Sequence, residues 1–146
     1  MRSSRQWRRR LVWAARASRS AAILDLDNDG DLDLVTHPFQ LTPVLWRNEA
    51  PRGPGFELSL DDRSSPNRRA VGARVQIRAP DGRLQVREVK GSGGYESFDA
   101  PQAFFGLGDW PSVSAISVRW PDGSTSDLGN LALHGGRYTL VRAAAR

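Results

Sequence analysis

The chain has 146 residues, room for one ordinary domain with appendages, and its lack of Cys excludes a disulfide framework, a thiol nucleophile and a thiolate metal site. No apolar run approaches the roughly 18 residues of a helical membrane span. The net charge of +5 describes a tail rather than a basic binding face, because Arg2, Arg5, Arg8, Arg9, Arg10, Arg16 and Arg19 crowd the N-terminus with no acid among them and the remainder is slightly acidic.

Residues 1–18 are this tail. Trp7, Leu11 and Ala15 share a face at helical spacing, so the segment is expected to be disordered or a short amphipathic helix. It contains no recognisable signal peptide, since the apolar stretch 11–15 is too short and Arg16 interrupts it. Attachment to nucleic acid or anionic lipid through the Arg cluster is its functional alternative. The solvated extension is favoured, and a nucleic-acid partner is not expected.

Residues 19–50 form the next unit, with strands expected at 21–24, 32–37 and 43–47. Between the first two lies Asp25-Leu26-Asp27-Asn28-Asp29-Gly30-Asp31-Leu32-Asp33. Carboxylates at every second position repel one another and gain nothing from packing. A bound hard cation reverses that, and calcium takes six to eight oxygens at roughly 2.3–2.6 Å. Asp25, Asp27 and Asp29 are expected to give side-chain oxygens, Asp31 its backbone carbonyl, and Asp33 the closing ligand. Gly30 lets the backbone turn sharply. The loop is not an EF-hand, because the twelfth position is Thr36 rather than Glu and the flanks alternate as strands. It reads as a calcium loop closing a β-hairpin. The alternative is a solvated acidic turn, for which one or two Asp would suffice.

The run from Ser20 to Val35, followed by Val44-Leu45-Trp46-Arg47-Asn48, resembles an FG-GAP/VCBS repeat. That resemblance implies one partial blade of a β-propeller whose aspartate loop holds Ca2+. A propeller needs several blades, and the fourth strand of this one is unaccounted for. Either the chain is a fragment of a larger product, packing against further blades, or the hairpin leans on the C-terminal half of the chain.

Residues 51–55 are a Pro/Gly linker. Residues 56–146 read as all-β. Apolar residues alternate over 56–60, 71–79, 84–89 and 113–120, with short strands at 104–107 and 138–141. Pro80-Asp81-Gly82 closes a hairpin, and Trp120-Pro121-Asp122-Gly123 has the order of a type I turn. Such a density of strands fits a β-sandwich or a partly open barrel.

Asn67-Arg68-Arg69-Ala70-Val71-Gly72, Gly91-Ser92-Gly93-Gly94-Tyr95, Phe105-Gly106-Leu107-Gly108 and Trp120-Pro121-Asp122-Gly123 together resemble an ASPIC/UnbV domain. In the cartilage acidic protein group such a domain commonly follows FG-GAP/VCBS repeats, the order seen here. The resemblance implies an adhesion or scaffold role with a protein or glycan partner, in an extracellular or periplasmic setting. Phe104 stands where relatives often carry His. The signature residues have ready structural roles, the glycines in turns and Asn67 and Asp122 in side-chain-capped loops. The functional alternative is a carbohydrate site with Tyr95, Trp110 and Trp120 as stacking platforms and Asn67 or Asp122 as polar contacts. No enzyme is expected. His37 and His134 lie outside any nucleophile motif, and Gly91–Gly94 sits between strands rather than before a helix.

Overall fold

The computed structural model describes residues 5–6, 18–49, 55–131, 133 and 135–144. Trp7, Leu11, Ala15, His134 and most of the 51–55 linker lie outside them. Among the described residues every regular element is a strand, and there is no helix to cross a membrane. In chain order the strands are β1 (Arg5–Gln6), β2 (Ser18–Leu24), β3 (Asp33–Pro38), β4 (Val44–Arg47), β5 (Gly55–Asp62), β6 (Arg74–Arg78), β7 (Leu84–Glu88), β8 (Gln102–Gly106), β9 (Ala115–Arg119), β10 (Thr125–Asp127) and β11 (Gly136–Arg142).

They form three sheets, ordered β1-β4-β3-β2, β10-β9-β6-β7 and β11-β5-β8. In the first, β2 and β3 form the expected antiparallel hairpin, and β4 pairs antiparallel with β3. β1 adds in parallel to β4, with Arg5 opposite Trp46. Two residues of the Arg-rich tail, Arg5 and Gln6, are therefore strand, and with them this sheet has four strands.

The other two sheets pack as a sandwich and do not close into a barrel. The core follows from period-two alternation. Phe56, Leu58 and Leu60 of β5 and Ala103 and Phe105 of β8 face Val75 and Ile77 of β6 and Ile116 and Val118 of β9, all of them buried. Phe56 lies directly opposite Phe105, and the two rings stack at 5.3 Å between centroids. Tyr138 of β11 meets Phe56 edge-on at 6.0 Å.

Two like turns close the β6–β7 and β9–β10 hairpins. In each, the Gly amide after Pro-Asp donates back to the residue before Pro at 3.0 Å (Gly82 to Ala79, Gly123 to Trp120). The glycines take φ of 89° and 86°, which an L side chain resists. β11 returns to pair in parallel with β5 over seven residues, Gly136 to Arg142 against Phe56 to Asp62.

The first sheet is different. None of its described apolar residues joins the buried cluster, while Asp25 and Asp33 are among its buried residues. Ile23, Leu34 and Trp46 share one face and Ala22, Val35 and Leu45 the other, all half-buried or exposed.

Candidate metal centre

The segment between β2 and β3 is organised by carboxylates accepting backbone amides. Asp25 Oδ1 accepts from the Asp29 amide at 3.1 Å and its Oδ2 from the Gly30 amide at 3.2 Å. Asp29 Oδ1 accepts from the Asp31 amide at 3.1 Å. Asn28 and Gly30 turn the chain with φ of 61° and 90°, conformations that Asn and Gly tolerate best. One oxygen from each of Asp25, Asp27 and Asp29 thereby comes within 4.8 Å of the others. These three carboxylates can hold a metal ion. An all-oxygen set of this kind suits a hard cation. Each carboxylate offers about four lone-pair sites, so the amide bonds at Asp25 and Asp29 leave capacity for a ligand.

Asp33, expected as the closing ligand, is not among the three gathered carboxylates. It is only 2% exposed, and it seals the neck of the hairpin. Its Oδ2 accepts from the Leu26 amide at 3.0 Å and its Oδ1 from the Asn48 amide at 2.7 Å. Asn48 adds a bond from Nδ2 to the Leu32 carbonyl at 3.2 Å. The sequence pattern does not single out Asn48 as part of the site, although it ends the Trp-Arg-Asn block next to β4. Arg47 supplies the counter-charge: its Nε is 2.5 Å from Asp27 Oδ2, and an Nη2 is 4.0 Å from Asp29 Oδ2.

The loop also touches the sandwich. The Arg137 Nη2 donates to the Asp25 carbonyl at 2.8 Å, and the Arg137 Nε pairs with buried Glu57 at 3.5 Å. Gly30 rides against Gly55, where an added Cβ would come within 2.9 Å of the Gly30 carbonyl oxygen.

Residues 63–146 match the family described as ASPIC and UnbV. The chain belongs to the ASPIC and UnbV family. No curated protein matches it.

Within the ASPIC/UnbV region the signature residues have structural work. Asn67 pairs with Val71 twice, accepting its amide at 3.1 Å and donating to its carbonyl at 2.9 Å. Trp110 and Trp120 are 5% and 2% exposed, so neither presents a face to a sugar, contrary to the stacking expectation. Alternation puts Trp120 at the end of a strand that in the structure stops at Arg119, it does not place Trp110, and it cannot tell a core ring from a surface one. Tyr95, 73% exposed, is left without those two companions. Asp122 is engaged by Arg142 at 2.7 Å and by the Ser124 hydroxyl and amide at 2.6 and 2.9 Å. These contacts, Arg142 foremost, hold its carboxyl well below the usual range. Arg142 also reaches buried Asp62 at 3.3 Å and lies over the Trp120 ring at 5.0 Å. It ties the Pro-Asp-Gly turn to β5. The carbohydrate site is therefore not assembled from the expected residues.

Proposed function

We propose that this chain is a non-catalytic, calcium-binding interaction module of the adhesion or scaffold type, in which an FG-GAP/VCBS-like hairpin leads into the ASPIC/UnbV domain. The gathering of oxygens from Asp25, Asp27 and Asp29 within 4.8 Å carries the reading. Calcium tolerates an irregular sphere of six to eight oxygens, whereas magnesium demands a near-ideal octahedron. An open loop of carboxylates, carbonyls and solvent favours the former. The Asp31 carbonyl would extend the sphere beyond the three side chains, and Asp33 would hold the loop closed around it. The ion would supply fixed charge and order rather than chemistry.

The two incompletely covered faces of the first sheet fit packing against further blades of a larger protein. Their residues are too apolar for a fully solvated sheet and too poorly covered for a finished core. An extracellular or periplasmic setting accords with this reading. Extracellular calcium modules work with dissociation constants on the order of 10⁻⁴–10⁻³ M, which an exposed site of this kind can meet.

Calorimetric titration of the purified chain with calcium, with magnesium as control, tests the proposal. Saturable uptake of about one ion, selective over magnesium, is the expected result. A folded chain that takes up no calcium overturns it.

A further inference from the structure

β2 is the edge strand of its sheet, yet its outward backbone is not left to solvent. Three alternate positions along that edge meet the ASPIC/UnbV domain. At Ala21, the carbonyl lies 3.5 Å from where a Cβ on Gly94 would stand. At Ile23, the amide donates to Asp99 Oδ1 at 3.0 Å. At Asp25, the carbonyl accepts from Arg137 at 2.8 Å. Residues two apart point their backbone groups the same way, so these contacts form one line ending on the first aspartate of the loop.

The Gly-Ser-Gly-Gly segment is shaped for this contact. A Cβ at Gly93 would come within 2.5 Å of Asp99 Oδ2, and one at Gly94 would collide with Ser97 Oγ. Without side chains at both positions, the segment folds tightly enough for Asp99 to face β2. Arg137 is equally fitted. Its charge would oppose a cation near Asp25, but the Glu57 carboxylate neutralises it, leaving a donor that fixes the Asp25 backbone.

The contact is polar and therefore separable. Beside it lies a cleft of about 580 Å³, lined by Ile23 and Leu24 on one side and by charged residues including Arg74, Glu88 and Lys90 on the other. Segments held by hydrogen bonds without a shared apolar core sit at the low end of local stability.

We propose that Asp99 and Arg137 are positioning residues that clasp the edge of β2, so that cation binding by the loop and docking of the hairpin on the ASPIC/UnbV domain form one coupled equilibrium. This rests on the metal reading above. Linkage makes the coupling reciprocal. The clasp fixes the backbone that aims the Asp25 carboxylate, and a bound ion in turn holds Asp25 where Arg137 can reach its carbonyl.

The test is calcium titration of the full chain and of Asp99→Ala, Asp99→Asn and Arg137→Met, with hydrogen exchange of the 91–99 amides followed with and without calcium. Neither Asp99 nor Arg137 offers a ligand in the gathered set, so a purely structural role would lower melting temperature without touching affinity. Asp99→Ala and Arg137→Met are expected to weaken calcium binding about tenfold, in the usual range of coupling between sites. Asp99→Asn, which keeps an acceptor for the Ile23 amide, should restore most of it. Calcium should slow exchange at 91–99 in the unaltered chain. Unchanged affinity in Asp99→Ala and Arg137→Met, with calcium still bound by the unaltered chain, overturns the clasp and leaves the metal site standing. Absence of calcium binding by the unaltered chain overturns both. Should Asp99→Ala fail to fold, Arg137→Met and the exchange data decide alone.

Discussion

The aspartate hairpin and the sandwich are ordered by opposite means. The sandwich buries rings and branched chains, and its hydrogen bonds follow from strands that apolar faces have brought together. The hairpin buries carboxylates. Asp25 and Asp33 capture four backbone amides between them, while Ile23 and Leu45 remain about half exposed. Apolar burial is non-directional and needs no bound ion. Order built on carboxylates is directional, carries concentrated charge, and answers to any cation that can share it. One chain thus holds a platform packed on apolar side chains and a segment held by its carboxylates.

The largest difference between the two regions is expected in the core. Phe105→Ala removes the ring stacked on Phe56 and should cost about 3–5 kcal/mol, read as a shifted urea midpoint of the sandwich. Leu45→Ala, in the hairpin, should stay within about 0.5 kcal/mol, as surface substitutions do. Equal costs would mean that the hairpin has an apolar core after all.

The ion comes next. At calcium concentrations about 100-fold above the dissociation constant, the loop should gain about 2.7 kcal/mol by mass action. Asp27→Ala should abolish that gain while leaving the sandwich folded, because Asp27 is half-exposed and touches Arg47 rather than the core. Arg47→Ala should act the other way and raise calcium affinity severalfold, since a competing charge leaves the exposed aspartates. Heat scans and titrations of both variants, with and without calcium, check this. An Asp27→Ala chain that keeps the calcium response would remove Asp27 from the ligand set.

Smaller and more local is the neck. Asp33→Ala orphans the Leu26 and Asn48 amides and should cost about 1–3 kcal/mol of local order. Faster hydrogen exchange at those two amides, with core amides unchanged, is the expected pattern. Loss of protection throughout would show that hairpin and sandwich unfold as one unit.

The aspartate loop was legible because five carboxylates in alternation have few other uses, and Gly30 marked its turn. The all-β class was legible from period two and from the repeated Pro-Asp-Gly. Roles within the loop were not, because Asp25 and Asp33 have the same chemistry and differ only in what the fold places beside them. The sequence does not mark β10, because Thr125-Ser126-Asp127 is short and polar and gains its place by pairing with β9. The parallel pairing of β11 with β5 and the bond from Arg137 to Asp25, 112 residues apart, arise only when the chain closes on itself. Sequence alone does not separate Trp110 and Trp120 as platforms from core rings, and only packing shows that they are core.

The smallest effect concerns the charges of the sandwich surface. Asp122 and Asp61 are held below their ordinary carboxylate range, Asp122 by Arg142 and then Ser124, Asp61 by Arg63 and then Arg68. A carboxylate with a depressed folded value adds stability that is present above its unfolded value, near 3.8. That stability is lost as pH falls through the folded value. The melting temperature should therefore be flat between about pH 8 and 5 and fall below about pH 4. Both groups are solvent-facing, so the drop should be modest and should shrink with added salt. Asp122→Asn cannot ionise and should show a shallower acid limb, its curve drawing towards that of the unaltered chain only as acid protonates Asp122 in the folded state. Parallel curves would mean that Arg142 draws its hold on the turn from Asp62 and the Trp120 face alone. The tie between the Pro-Asp-Gly turn and β5 would then rest on burial, as the rest of the sandwich does.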